Sequence, residues 1–158
     1  MNKLGEHLFW LEDTCSVYAI KADDKYLLID CGTDLRRDNV DGVETILLTH
    51  FHRDQCSGVE YWRGEGAEVF IPAAERRYLE EADLQRAGHY LYDNYTAYYP
   101  GFGPLEDVRE AKPARDYATI AWEGVRVEVV PLPGHTFGSA GYLFEIDGKR
   151  CLACGDLV

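Results

Sequence analysis

The sequence has few basic residues, and none of them lie in a cluster longer than a pair. Lysine and arginine number 16 against 28 aspartates and glutamates in 158 residues, which gives a formal net charge of −12. Proteins that bind nucleic acid or anionic lipid surfaces rely on basic faces that meet phosphate groups. The scarcity of basic residues therefore argues against nucleic-acid and membrane partners, and we expect a small-molecule substrate.

The sequence also lacks an apolar run long enough for a transmembrane helix or a signal peptide. A membrane span needs about 20 consecutive apolar residues, and Glu6, His7 and Glu12 interrupt the N-terminal MNKLGEHLFWLEDT. The five cysteines are odd in number and have no exported context, so we expect reduced thiols rather than disulfides. Together these features predict a cytoplasmic protein.

Apolar runs of strand length recur along the chain and predict a single α/β (α+β) domain over residues 1–158. Strand-like runs alternate with a helical start, SGVEYW, in the first half, and this order indicates a layered fold. ETILLTH is almost wholly apolar, which suits a strand covered on both faces. The strand-like runs are CSVYAI, YLLID, ETILLTH and AEVFIP in the first half and ATIAW, VRVEVVPLP, AGYLFEI and RCLACGD in the second.

Residues from about 73 to 116 differ from the rest and predict an insertion between the two strand-rich blocks. AAERRYLEEADLQRAG, residues 73–88, is helical in composition, and the stretch after it holds five of the eleven tyrosines. The tyrosines between Tyr90 and Tyr99 suit two roles: lining a pocket beside a site, or packing inserted helices onto the sheet. We expect packing for most of them.

Histidine and aspartate side chains follow three separate strand-like runs. His50, His52 and Asp54 come directly after TILL, His135 lies in LPGHTFGS, and Asp156 lies in ACGDLV. Residues two apart in a turning backbone can converge on one ion, and neutral imidazoles suit zinc, iron and manganese. Taken singly, such a histidine is usually an ordinary surface or core residue, and an aspartate after glycine is usually a turn residue. The whole set predicts a metal site.

Four motifs in order resemble those of the metallo-β-lactamase-fold hydrolases. THFHRDQCSG resembles their HxHxDH motif, LIDCGT their LIDTG element, PGHTFGS their PGHTxGS element and CGDLV their GD element. The order and rough spacing fit from about Val17 to Val158. The resemblance implies a four-layer α-β-β-α sandwich with the metal site at one edge.

The resemblance also implies a role for each matched residue. His50, His52 and His135 would bind a first metal ion, Asp54 would bind a second, and Asp156 would bridge the two. A metal-bound hydroxide would be the nucleophile, since a metal lowers the pKa of bound water. Asp54 would position that nucleophile or accept its proton.

Four further residues would support the ligands rather than bind the ion, and they are Asp30, Gln55, Thr136 and Ser139. The resemblance makes Asp30 an outer residue that orients the ligand loop, in keeping with the general behaviour of metal sites. Thr136 and Ser139 would brace the loop around His135.

Two departures from the family pattern bear on the number of metal ions. Gln55 stands where the family has a second-metal histidine, and an amide oxygen is a weaker, neutral ligand. The family's last histidine lies well beyond the GD element, whereas here the chain stops at Val158. We therefore expect one ion, zinc first and iron or manganese otherwise, rather than two.

The end of the chain leads to an expectation about the parent protein. The C-terminal part of the fold is absent from the sequence, which would leave a sheet edge and an apolar face uncovered. We expect a truncated chain or one segment of a longer polypeptide. The alternative is a naturally minimal version that forms a homodimer and covers its edge.

Three functions follow from these patterns. The first is a metal-dependent hydrolase of a small-molecule ester, thioester, lactone or amide. The second is a mononuclear iron enzyme resembling the persulfide dioxygenases of similar families, with His50, His135 and Asp156 as ligands. The third is a non-catalytic or incomplete domain in which the metal loop is structural.

Overall fold

The computed structural model describes residues 1–84, 106–108 and 110–157, and within them the chain forms two β-sheets and several short helical segments. The seven strands of the first sheet lie side by side in chain order. Neighbours are antiparallel from β1 to β4 and parallel from β4 to β7. These strands are β1 (Asn2–Lys3), β2 (Leu8–Glu12), β3 (Ser16–Ala22), β4 (Lys25–Ile29), β5 (Val43–Leu47), β6 (Glu68–Pro72) and β7 (Lys112–Ala114).

The second sheet is a four-stranded antiparallel meander. Its order is β11-β10-β9-β8, with β8 (Thr119–Trp122), β9 (Val125–Pro131), β10 (Ala140–Ile146) and β11 (Lys149–Ala153). The predicted EG and DG turns join β8 to β9 and β10 to β11, with φ of 43° and 81° in the first and 52° and 68° in the second. Positive φ at both central residues matches the right-handed twist of the flanking strands.

Two apolar clusters divide the molecule into layers. One packs the first sheet against α1 (Arg53–Cys56), α2 (Val59–Gly64) and α3 (Arg76–Glu80), with Trp62 and Leu79 among its buried members. The other fills the space between the two sheets, where Leu47 and Tyr142 are fully buried. Because successive side chains of a strand point to opposite faces, β4 and β5 contribute to both clusters. The predicted α/β sandwich is confirmed.

Two local predictions differ from the structure. Strands β1 and β2 precede Cys15 and were not predicted, because LFWLE is short and does not alternate. The helix predicted from residue 73 begins only at Arg76, because the backbone N–H of Glu75 donates to Pro72 O at 2.9 Å and forms a turn. Residues 85–88 of that predicted helix lie outside the described residues.

The predicted insertion falls partly outside the described residues. The tyrosines from Tyr90 to Tyr99 all do, so their packing stays a prediction. Lys112–Ala114, near the end of the predicted range, forms β7 and pairs in parallel with β6. Over the described ranges, no helix has the length and apolar character needed to cross a membrane.

Candidate metal centre

Segments that leave the ends of three strands meet at one edge of the sandwich. His50 and His52 follow β5, Asp156 follows β11, and the loop carrying His135 leads into β10. The N–H of Ala140, at the start of β10, donates to Thr49 O at 2.9 Å and joins two of these segments. The structure therefore brings together residues that lie about 100 positions apart.

The three predicted histidines converge closely. Their ring centroids lie 4.7 to 4.8 Å apart, each pair in an edge-on arrangement, and one nitrogen of each ring lies within 4.8 Å of the other two. His135 Nε2 is 2.9 Å from His52 Nδ1. His50 is buried, whereas His135 is exposed, so the cluster opens to solvent on one side.

His50 is held in the neutral form that can bind a metal ion. Burial lowers the pKa of its imidazole to about 3, and the neighbouring His52 and His135 act in the same direction. Its Nδ1 lies 3.0 Å from Thr49 Oγ1, while its Nε2 is buried and has no hydrogen-bond partner among the described residues. Buried polar atoms are nearly always paired. An unpaired Nε2 that points toward two other imidazoles is suited to bind a metal cation.

Asp30 determines which nitrogen of His50 carries the proton. The Thr49 hydroxyl donates to Asp30 Oδ2 at 2.8 Å, and the Thr49 backbone N–H donates to Oδ1 at 2.7 Å. When Asp30 is ionised and accepts the single proton of the Thr49 hydroxyl, Thr49 Oγ1 accepts a hydrogen bond from His50 Nδ1–H. The lone pair of His50 is thereby left on Nε2, the side facing the other histidines.

The position of Asp30 is costly for the folded chain. Its φ is +64°, a left-handed value that is uncommon for residues other than glycine. Burial raises the pKa of its carboxyl to about 7, against the opposing effect of the two Thr49 hydrogen bonds. A buried carboxylate in a strained conformation, bonded to the residue before a candidate ligand, is typical of functional sites.

Asp156 lies beside the histidines, and Gln55 contacts it. Asp156 Oδ2 is 3.6 Å from His135 Nε2 and 3.8 Å from His50 Nε2. The side-chain amide of Gln55 donates to the same oxygen at 3.0 Å, and Gln55 Oε1 is buried without a partner in the described structure. Gly155 permits the approach, because its φ is +55° and a Cβ there would lie 2.7 Å from Thr49 Oγ1.

Asp54 lines a cavity next to this carboxylate. The cavity has a volume of about 370 Å³ and is lined by Asp54, Gln55 and Asp156 together with residues of β3 such as Tyr18. Burial raises the pKa of the Asp54 carboxyl, and the charge of Asp156 raises it further. A cavity of this size suits a small molecule.

The loop around His135 is tied down by its own hydroxyls and by Glu75. Ser139 Oγ accepts from the Thr136 backbone N–H at 3.2 Å and lies 2.5 Å from Thr136 Oγ1. The Thr136 hydroxyl also donates to Glu75, whose side chain is fully buried. Burial raises the pKa of Glu75, against the lowering effect of the hydrogen bonds that it accepts.

Thr49 and Glu75 are the residues of this site that the sequence analysis missed. Thr49 directly precedes the HxHxD motif, so a polar side chain at that strand end was a usable signal. Glu75 follows β6, a parallel neighbour of β5, and the carboxyl ends of parallel strands meet at the same edge. Applying that rule to every strand would have found it.

Comparison with known proteins identifies the family. The family described as the metallo-beta-lactamase superfamily matches residues 10–158. The chain belongs to the metallo-β-lactamase superfamily. The curated relatives of this superfamily member include a probable metallo-hydrolase of Mycobacterium tuberculosis, 30% identical over 121 residues, and a hydroxyacylglutathione hydrolase of Pseudomonas entomophila, 29% identical over 125 residues.

Solved structures of the superfamily share the fold. A metallo-β-lactamase of Cronobacter sakazakii with a HARLDQ motif has a TM-score of 0.74 at 20% identity and is matched over 96% of this chain and 60% of its own. An archaeal superfamily protein of Sulfolobus tokodaii has a TM-score of 0.73 at 19% identity, over 89% of this chain and 61% of its own.

This chain is shorter than its relatives. The two matches to curated relatives cover 72% and 73% of this chain but only 36% and 37% of the relatives. Two of these relatives have names that describe hydrolases, and the three converging histidines of this chain provide a site that fits an ion.

Proposed function

We propose that the chain binds one divalent metal ion through His50, His52 and His135 and hydrolyses a small-molecule ester, thioester, lactone or amide. The observation that carries this proposal is the buried, unpaired Nε2 of His50, which faces two further imidazoles. Zinc is the first candidate because three imidazoles with one open position are a common catalytic zinc site, with iron or manganese as alternatives.

The chain's own side chains would divide the remaining work. An ion held by the histidines would act as a Lewis acid and bring the pKa of water at the site to about 7. Asp54, whose pKa burial raises, would accept or hold a proton beside the cavity. Asp156 would complete the ligand set, since its Oδ2 already lies within 3.8 Å of two histidines.

Gln55 favours one ion over two. Its amide nitrogen donates to Asp156 Oδ2, so Gln55 presents an N–H donor to the carboxylate, where a ligand of a second cation would have to present a lone pair. Its own oxygen is neutral, and a neutral amide is a weak ligand compared with the imidazole that the family has at this position. Asp54 is then left to handle protons rather than to bind a second metal.

The names of the curated relatives support hydrolysis as the reaction. One is described as a probable metallo-hydrolase and another as a hydroxyacylglutathione hydrolase. The acidic lining of the cavity, with Asp54 and Asp156, favours neutral or cationic groups of the substrate on that side.

A His135→Ala variant tests the proposal with little disturbance of the fold, because this side chain is exposed. We expect loss of hydrolysis on a panel of esters, thioesters, lactones and amides, together with an unchanged melting temperature of the metal-free protein. His7→Ala is the matched control, since His7 pairs with Asp147 in a separate cluster with Glu6, and it should retain wild-type hydrolysis. A metal-loaded wild type that hydrolyses nothing on the panel would refute the proposal.

A second candidate rests on the position of Asp156. His50, His135 and Asp156 together form a two-histidine, one-carboxylate set, which is typical of non-haem iron oxygenases. Bound iron with oxygen-dependent oxidation of a persulfide would favour this function over hydrolysis. Oxygen consumption with a persulfide, measured beside the hydrolysis panel, distinguishes the two.

The third function, a structural metal loop in part of a longer protein, has a different signature. It predicts that metal removal lowers the melting temperature sharply while no activity appears with any substrate. The cytoplasmic location, the small-molecule substrate and the homodimer remain predictions.

A further inference from the structure

Glu75 is a buried carboxylate that the proposed chemistry does not use. It follows β6 in a turn closed by its backbone N–H and Pro72 O at 2.9 Å, and it immediately precedes α3. Its side chain has no exposed surface. Burying a carboxylate costs free energy unless its oxygens are well bonded, so the partners of Glu75 indicate its role.

The two oxygens of Glu75 bond to two different ligand segments. Oε2 accepts from the backbone N–H of Phe51, the residue between His50 and His52, at 2.8 Å. Oε1 accepts from the backbone N–H of Gly138 at 3.0 Å and from the Thr136 hydroxyl. One side chain thus spans the segment carrying two histidines and the loop carrying the third.

Gly138 is shaped for this contact. A Cβ at residue 138 would lie 2.6 Å from Glu75 Cγ, 2.9 Å from Ala74 Cβ and 3.2 Å from Glu75 Oε1. Any side chain there would push the loop away from Glu75. The close approach of the loop therefore depends on glycine at 138 as well as on the carboxylate.

The bonding pattern requires a carboxylate. Phe51 and Gly138 both present backbone N–H groups, which can only donate, and they bond to different oxygens. A carboxylate accepts at both oxygens, whereas a glutamine amide accepts at one and places an NH₂ group against the other N–H. Glutamine, although nearly identical in shape, must lose one of the two links.

We propose that Glu75 is a positioning residue that holds the His50–His52 segment and the His135 loop in register, and thereby sets the affinity for the metal ion. This inference rests on the proposed metal site. The bond from Ala140 N–H to Thr49 O also joins the two segments, but at their strand ends. Glu75 joins them at the ligand-bearing residues, which lie outside the paired strands.

A Glu75→Gln variant tests the inference through metal affinity, measured by competition with a chromophoric zinc chelator. Loss of an outer partner of metal ligands typically weakens metal binding by about 10- to 100-fold, and we expect a decrease in that range. Glu80→Gln is the matched control, since Glu80 pairs with Arg76 on α3 outside the site. Its affinity should equal that of the wild type.

A second readout separates positioning from general stability. If Glu75 only stabilises the fold, Glu75→Gln will lower the melting temperatures of the metal-free and metal-loaded proteins equally and leave the affinity unchanged, and the inference is then wrong. If it positions ligands, the increase in melting temperature on adding zinc will shrink.

Gly138→Ala provides an independent test through the other partner. It keeps the carboxylate of Glu75 but disturbs the loop, so we expect weaker zinc binding in this variant as well. If Glu75→Gln does not fold, Gly138→Ala replaces it as the test. Wild-type affinity in Gly138→Ala would count against the inference. A wild-type chain that binds no zinc, iron or manganese would instead refute the proposed function, and the inference with it.

Discussion

Replacing Thr49 with valine tests how the protein assigns the metal-facing nitrogen of His50. Valine has nearly the same shape as threonine but lacks the hydroxyl that links Asp30 to His50 Nδ1. Without that hydroxyl, nothing in the described site favours the tautomer with its proton on Nδ1. The lone pair is then no longer held on the nitrogen that faces His52 and His135.

The expected size of the effect follows from the hydrogen bonds that valine cannot form. Thr49→Val leaves His50 Nδ1 buried without its partner and removes one hydrogen bond from the carboxyl of Asp30. Each buried polar group left unpaired costs about 1 to 3 kcal/mol of stability. The loss of ligand orientation should weaken metal binding by a further factor of about 10 to 100.

The assay is chelator competition for zinc at neutral pH, combined with urea unfolding of the metal-free protein. Thr45→Val is the control, because Thr45 is a buried threonine of β5 outside the site. We expect Thr45→Val to retain wild-type affinity and Thr49→Val to lose it. Equal zinc affinity in Thr49→Val and the wild type would refute the tautomer argument.

Two other predictions concern Asp30 and Gln55. Burial raises the pKa of Asp30 from 3.8 to about 7, so the folded metal-free protein favours the protonated carboxyl. The stability that this protonation contributes is complete below pH 3.8 and is lost as the pH rises through about 7. Relative to Asp30→Asn, the unfolding free energy of the wild type should fall by roughly 2 kcal/mol between about pH 5.5 and pH 7. If urea unfolding gives a difference between the two proteins that does not change with pH, the raised pKa of Asp30 is wrong. Gln55→His should raise metal content above one ion per chain, because it replaces the amide donor to Asp156 with a ligand; elemental analysis showing one ion would argue against that role for Gln55.

Local patterns were sufficient for much of the fold. Long apolar runs such as ETILLTH and paired runs joined by EG and DG turns predicted the central strands and the second-sheet hairpins, because burial and turn chemistry act over a few residues. LFWLE, by contrast, carries no alternation, and β2 forms because β3 provides a partner strand. Its pairing is a tertiary effect that a single short run does not reveal.

In the candidate site, too, some residues could be predicted from local sequence, whereas others depend on contacts with distant residues. His50, His52 and His135 stand out by residue type at strand ends, and the resemblance to a family assigned them roles. The function of Glu75 depends on Thr136 and Gly138, which lie more than 60 residues away, and no local pattern links them. Gln55 was predicted to support the ligands and to be at most a weak ligand itself, and its amide nitrogen donates to Asp156.

The metal content of the wild-type chain tests the central claim most directly. Elemental analysis of protein purified without chelators or a histidine tag should find about one zinc, iron or manganese ion per chain, and His135→Ala, prepared in the same way, should lose it. Absence of metal from the wild type, or equal content in His135→Ala, would contradict the claim that the three histidines form a metal centre.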